Sequence, residues 1–437
     1  MGGVLADGDR VKAVVVKSWM ASTGGLEVHY QDGLEKGSSL KANAIQQGLE
    51  EDVHVSGAQD METVVHRPAK RSKVQLGSAP PLTDSARLLA RRKHCRFWEN
   101  SGDEMELELL AAVGRNLQPG TDSILLGTDS HTCNAGAFGQ FATGIGNTDA
   151  GFVLGTGKAL LKVPTIIRFV LDGEMPPYLL DLILQIIGEI SVSGATYKSM
   201  EFVGSTVESL TMEERMTLCN MVIEAGGKNG VVPADETTFK YLEGKTSIDY
   251  EPVYSDAQAR FFSDYRFDVS KLEPVVAKPH SPDNRALARE CKDVKIDRVY
   301  IGSCTGGKTE DFLAAAKVFL ASGKKVKVPT FLVPATQKVW MDVYSLPVPG
   351  SGGKTCSQIF EEAGYDTPAS PSCGACLGGP RDTYARMNEP MACVSTTNRN
   401  FPGRMGHKEG QIYLASPYTA VASALTGYVT DPRDFLM

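Results

Sequence analysis

Between Val294 and Tyr344 the chain alternates strand-like and helix-like runs at lengths that leave little choice of architecture. Val294 to Ile301 (VKIDRVYI) predicts a buried strand, Gly302 to Lys308 a Gly-rich turn, and Thr309 to about Ala321 a helix. Lys327 to Val333 predicts a second strand, and Ala335 to Tyr344 a second helix. Strands joined through helices run parallel, because the crossover returns the chain to the same end of the sheet. The expected class is α/β. Ligands of such sheets gather beyond the carboxyl ends of the strands, and the turn holding Cys304 lies at one of these ends.

Upstream the texture changes. From Met1 to about Pro119 there are Gly- and Ser-punctuated pieces and few sustained apolar periods. A basic stretch (Arg87, Arg91, Arg92, Lys93 and Arg96) falls in a predicted helix from Asp84 to Trp98, where it suits a solvated face or an anionic partner. From Ile124 onward, apolar strands, Gly-rich turns and amphipathic helices take over, with no repeat of solenoid period and no low-complexity tract. At 437 residues the chain has room for about two to four domains. Lys and Arg number 45 against 52 Asp and Glu, a net charge of −7 that argues against a nucleic-acid binder. The best membrane-span candidate, Phe152 to Leu171, is broken by Lys158, Lys162 and Arg168, so no membrane association is expected. The nine cysteines, an odd number over a long chain, suit a reducing compartment better than a disulfide framework. The amino terminus has neither the apolar core of a secretory signal nor the Arg- and Ser-rich, acid-poor character of a transit peptide.

Four groups of residues can carry chemistry. Cys304 in GSCTGGK, with Cys373 and Cys376 in PSCGACLGG, forms the first. A C-x-x-C pair turns both thiolates toward one centre, and zinc, an iron–sulfur cluster and a redox dithiol all remain open on that spacing. The flanking Gly306, Gly307, Gly374, Gly378 and Gly379 let backbone approach a bulky inorganic centre. Cys95, Cys133, Cys219, Cys291, Cys356 and Cys393 read as inert buried thiols. Asp129, Ser130 and His131, in GTDSHT after the strand Ile124 to Leu126, place a carboxylate, a hydroxyl and an imidazole at one strand end. Asn220 and Glu224 stand one helical turn apart before the helix-ending pair Gly226–Gly227. Asn398, Arg399 and Arg404 in NRNFPGR put two guanidinium groups around a Pro-Gly turn, an arrangement suited to a dicarboxylate.

In this order, GTDSHT, CNMVIEAGGKNG, GSCTGGK, PSCGACLGGP and NRNFPGRMG resemble the motifs of the aconitase superfamily. The wording between them (GATYKSMEF, PVYSDAQARF) is similar to its isopropylmalate isomerase large-subunit branch of plants and algae, from about Leu125 to the carboxy terminus. The resemblance implies three-layer α/β/α domains with parallel sheets around a [4Fe–4S] cluster, with domains at 119–275 and 276–437 after an atypical region 1–118. It implies that Cys304, Cys373 and Cys376 bind three irons and that the fourth is open to substrate. Asp129, Ser130, His131 and Glu224 would be catalytic, and Asn220, Asn398, Arg399 and Arg404 would bind substrate. The implied reaction is dehydration of 2-isopropylmalate and rehydration to 3-isopropylmalate, in leucine biosynthesis, in the chloroplast stroma. The implied partner is the isopropylmalate isomerase small subunit, in a heterodimer, since the chain ends where large subunits of this kind stop.

The same resemblance leads us to expect an HD-x-x-G-like segment and a CH motif before GTDSHT. Neither is present: His29, His54, His66 and His94 sit in VHY, VHV, VHR and KHC. A different exon or reading frame would account for this, as would a degenerate locus. Loss of a general acid on the hydroxyl side lowers a rate by ~10²–10⁴-fold. The segment Met175 to Leu184 is also about two residues shorter than the resemblance leads us to expect. Homocitrate or a methylthioalkylmalate as substrate, and a non-catalytic cluster-binding scaffold, are the alternatives to the isopropylmalate reading.

Overall fold

The computed structural model describes residues 12–18, 26–31, 123–146, 148–150, 159, 161–177, 179–245, 252–256, 258–365 and 368–436. The helix expected at Asp84 to Trp98 lies outside them, as do Cys95, His54, His66 and His94.

Three sheets organise the described residues. β1 (Lys12–Ser18), β2 (Leu26–Gln31), β3 (Ser123–Gly127) and β4 (Phe141–Gly144) form the first, in the order β2-β1-β3-β4. β1, β3 and β4 run parallel, and β2 is an antiparallel edge. The weakly patterned amino-terminal stretch thus supplies two strands. The β-branched run Val14–Val15–Val16 favours the pleated backbone even without a long periodic context.

The second sheet contains β5 (Thr165–Asp172), β6 (Lys198–Val203), β7 (Asn229–Val231) and β8 (Phe261–Asp268), all parallel, in the order β7-β6-β5-β8. The third comprises β9 (Val275–Ala277), β10 (Arg285–Leu287), β11 (Arg298–Gly302), β12 (Thr330–Val333), β13 (Ala392–Ser395) and β14 (Gln411–Ala415), in the order β10-β9-β14-β13-β11-β12. Its last four strands are parallel, and β9 and β10 add an antiparallel edge. Among the described residues no helix is long and apolar enough to cross a membrane.

The strand–turn–helix–strand–helix series lies where its sequence places it. Helices Thr309–Ser322 and Gln337–Ser345 follow β11 and β12. β11 is shorter than expected and begins at Arg298. Upstream of it, the backbone N–H of Ile296 donates to the carbonyl of Gly427 and that of Val429 to the carbonyl of Val294, so this stretch pairs with the chain leaving the Pro417–Thr426 helix. Within β11, Val299 and Ile301 enter one apolar core while Tyr300 enters the other. A strand alternates its side chains, so burial on both faces goes with the unbroken run Val299–Tyr300–Ile301 between Arg298 and Gly302.

Candidate active site

Asp129 to His131, Cys304 and Asn398 emerge from the carboxyl ends of β3, β11 and β13. Beyond β11 the chain turns through Ser303, whose φ of 80° puts a non-glycine residue in the left-handed region. Such a conformation costs of order 1–3 kcal/mol and persists only where its surroundings over-determine it. Here the Ser303 hydroxyl accepts the backbone N–H of Thr305 at 3.1 Å, and the turn projects Cys304. Gly306 then packs against Thr396, just past β13; an added Cβ would stand 2.5 Å from the Thr396 Cβ.

Asn398 follows β13 in a crossover loop that has no helix. Two amides converge on Cys304: Asn220 Nδ2 donates to its Sγ at 3.3 Å and Asn398 Nδ2 approaches it at 3.7 Å. Thr305 sets both amides, since its hydroxyl donates to Asn220 Oδ1 at 2.6 Å and accepts from Asn398 Nδ2 at 3.1 Å.

The C-x-x-C loop is a succession of tight turns, in which the N–H of Leu377 donates to the Cys373 carbonyl at 3.0 Å and that of Gly379 to Gly374 at 2.8 Å. Gly378, at φ 64°, lies so close to the Arg404 carbonyl that a Cβ would approach it to 3.0 Å. This contact holds the loop on the NRNFPGR segment, and Arg404 Nη2 donates to Cys376 Sγ at 3.4 Å and to Asn398 Oδ1 at 3.2 Å.

Burial pushes the Cys304 thiol up to about 12; the charges of Asp129 and Cys376 act in the same direction, with the Asn220 hydrogen bond and the Lys308 charge opposing them. Burial also raises Cys376, against the pull of Arg404. Cys373 reaches solvent, yet crowding by protein and then the charges of Cys304 and Cys376 raise its thiol as well. Asn398 links two of these thiols, its Nδ2 lying toward Cys304 Sγ and its Oδ1 accepting from the Arg404 that also donates to Cys376 Sγ. Among the described residues no three His, Cys, Asp or Glu side chains close on a single metal ion. Amide donors on Cys304 and a guanidinium donor on Cys376, with Cys373 on the same C-x-x-C loop, fit a polynuclear centre, in which each thiolate binds a different metal atom.

Past β3, Asp129 caps a 3-10 helix: its Oδ1 accepts the His131 backbone N–H at 2.7 Å. The buried His131 ring has Ser130 Oγ 3.0 Å from Nδ1 and Glu224 Oε1 2.9 Å from Nε2, the latter an ion-pair contact off the hydrogen-bond line. Arg399 Nε donates to both oxygens of Glu224, at 2.7 and 2.9 Å. Burial disfavours the charged forms of Asp129 and His131. The hydrogen bonds and charges between them, with Glu224 acting on His131 and Arg399 on Asp129, outweigh it. His131 titrates above the usual histidine range and Asp129 below the usual carboxyl range.

The Asn220–Glu224 segment differs from a continuous helix. The helix Met212–Asn220 tightens into a 3-10 turn, Met221–Ala225, that ends at Gly226 with φ 82°. The change of pitch directs Asn220 to Cys304 and Glu224 to His131. Arg399 and Arg404 likewise part company, the first going to Glu224 and the second to Cys376 and Asn398. Cys133, Cys219, Cys291, Cys356 and Cys393 are buried free thiols. Thr217, Thr305 and Lys308, which the motif spacing did not single out, belong to the same network. The available signal was Thr217 at three residues before Asn220 on one helix face, and Lys308 closing GSCTGGK.

The description of the aconitase family (aconitate hydratase) matches residues 111–292 and 286–427. The chloroplastic 3-isopropylmalate dehydratase large subunit of Arabidopsis thaliana is 84% identical over 315 residues, covering 72% of this chain. The chain spans 62% of that relative's length. The 3-isopropylmalate dehydratase large subunit of Halothermothrix orenii is 46% identical, with 72% of each chain covered. A protein of Methanosarcina mazei named as a probable methanogen homoaconitase large subunit is 45% identical, covering 71% of this chain and 76% of its own.

Proposed function

The chain belongs to the aconitase family, and on that premise we propose that it acts as the large subunit of a hydro-lyase that isomerises 2-isopropylmalate to 3-isopropylmalate. The proposal includes a [4Fe–4S] cluster on Cys304, Cys373 and Cys376, a small-subunit partner, a place in leucine biosynthesis and a chloroplast location like that named for the Arabidopsis relative. The division into units at 119–275 and 276–437 belongs to the same reading. One observation carries it: the segments Asn220–Glu224 and Asn398–Arg404 each reach both ways, to the thiols through Asn220 and Arg404 and to the His131 chain through Glu224 and Arg399.

The reaction removes a hydroxyl from C2 and a proton from C3 of the substrate, leaving an alkene; water then adds back with its hydroxyl on C3 and its proton on C2. When bound, the cluster supplies a Lewis-acidic iron that makes hydroxide a feasible leaving group. The protein holds and moves the protons. His131, raised by its neighbours, carries a proton at Nε2 against Glu224 Oε1. Asp129 fixes the approach of the ring through the backbone, and Ser130 occupies Nδ1. Arg399 balances the Glu224 carboxylate and orients both of its oxygens. Arg404, buried with its Nε unpartnered, retains a donor for a substrate carboxylate.

The Methanosarcina relative favours a second reading, a homologous malate with a longer side chain, since the described residues address only the shared hydroxy-acid core. The test is to load the full chain anaerobically with iron and sulfide, add an isopropylmalate isomerase small subunit, and follow alkene absorbance with each substrate. Turnover of 2-isopropylmalate is expected. A preference for homocitrate supports the second reading, and a loaded, partnered chain without turnover overturns both.

A further inference from the structure

Lys308 is 7% exposed. An ammonium taken from water costs several kcal/mol unless it is paired and fully hydrogen-bonded, so a lysine here must answer to its surroundings. All three of its N–H donors are engaged. Nζ donates to Thr217 Oγ1 at 2.6 Å, to Asp311 Oδ2 at 2.8 Å and, at very short range, to the carbonyl of Thr305. The three acceptors come from three elements: the helix Met212–Asn220, the start of the helix Thr309–Ser322, and the turn that projects Cys304.

The two elements that matter most meet again one step closer to the site. Thr217 Oγ1 donates to the Thr305 carbonyl at 3.1 Å, and the Thr305 hydroxyl donates to Asn220 Oδ1 at 2.6 Å. With its oxygen so engaged, the Asn220 amide has its nitrogen toward Cys304 Sγ at 3.3 Å. A positive charge behind the turn thus fixes the carbonyl of Thr305, whose hydroxyl orients the donor to the thiol. Lys308 touches neither the thiols nor the His131–Glu224 chain, and the reaction outlined above makes no use of it.

We infer that Lys308 is a positioning residue: its ammonium staples the Asn220 helix to the Cys304 turn and supplies a fixed positive charge behind the thiolate, so that the cluster on Cys304 is held against loss. The inference rests on the cluster reading of the proposed function. Residues that orient a metal ligand from behind change metal retention by 10–100-fold when removed.

The test compares the full-length wild-type chain with K308M, K308R and T217V, each loaded anaerobically with ferrous iron and sulfide. Iron content, the decay of cluster absorbance in air and the reduction midpoint are measured, with circular dichroism as the check on folding. The wild type is expected to take up about four irons per chain. K308M should lose its cluster roughly tenfold faster in air and have a more negative midpoint, because a buried cation has been removed. K308R should restore both to near wild type. T217V, which keeps the charge but removes one anchor, should lose its cluster a few-fold faster with its midpoint unchanged, and it serves as the test if K308M fails to fold. Clusters in K308M and T217V that are as durable as in the wild type would overturn the inference while leaving the cluster reading intact. A wild-type chain that binds no iron would remove the cluster reading, and the inference with it.

Discussion

His131 lies between two carboxylates, Asp129 and Glu224, and both raise it through hydrogen bonding and charge. Glu224 Oε1 is 2.9 Å from Nε2, whereas Asp129 Oδ1 is 3.6 Å from Nδ1 and spends its hydrogen bond on the backbone. Burial alone would lower the imidazole, but the two acids win. Its folded-state value therefore lies above the ordinary 6.5, and the folded chain binds this proton more tightly than the unfolded one. The resulting stabilisation is complete below about pH 6.5 and disappears as pH rises through the raised value. We expect the stability gap between wild type and His131→Asn, measured by urea unfolding, to be widest near pH 6 and to shrink toward pH 9. A gap that widened with pH would contradict this assignment. At the residue scale the sequence was informative about type and not about partner. GTDSHT and NRNFPGR drew attention to side chains that the fold brings into contact with distant segments, but nothing in their spacing told that Arg399 would face Glu224, 175 residues away, and Arg404 would face a thiol.

The helix Met212–Asn220 does more than fill space between sheets. It begins with a capping box, in which Thr211 Oγ1 accepts the Glu214 N–H and Glu214 reaches back to the Thr211 N–H. Its fully buried Arg215 makes two bonds to Asp235, at 2.6 and 2.7 Å, and a third to the Leu210 carbonyl at 3.2 Å. Arg215 anchors the helix that presents Thr217 and Asn220. Asp235→Ala would leave a buried guanidinium without its anion. The Asp235 side chain is 35% exposed, so the cost should be about 2–3 kcal/mol, below that of a fully buried pair. Urea unfolding would measure it, and a loss under about 0.5 kcal/mol, the size of an ordinary surface change, would show that water replaces the carboxylate. Helix starts and stops were legible because caps and glycines act locally. The switch to 3-10 geometry at Met221 was not, since it answers to where Asn220 and Glu224 must reach.

Across the whole molecule, one buried carboxyl joins two helices. Asp181, on the apolar helix Leu179–Ile190, accepts the N–H and hydroxyl of Ser416, each at 3.3 Å, at the start of the Pro417–Thr426 helix. The Ser416 bonds and the helix end favour the anion, but burial outweighs them and the carboxyl titrates well above its usual range. An acid whose value is raised by folding binds its proton more tightly in the folded chain, so stability falls as pH rises above the unfolded value near 4. Asp181→Asn keeps an acceptor for the Ser416 N–H and has no proton to lose. We expect its stability relative to wild type to improve between pH 5 and pH 8, which thermal or urea unfolding at both values would read; an unchanged difference would place the charge in contact with solvent. The sequence by itself determined the parallel sheet around β11 and the emergence of Cys304 from its carboxyl end, because strand period, helix period and turn glycines act over a few residues. Only the tertiary structure decided that Cys304 would meet Asn220 from 84 residues away, and that Lys308 would stand behind both. Those contacts depend on how separate strand ends stack in three dimensions, and the local physics of each segment is indifferent to that choice.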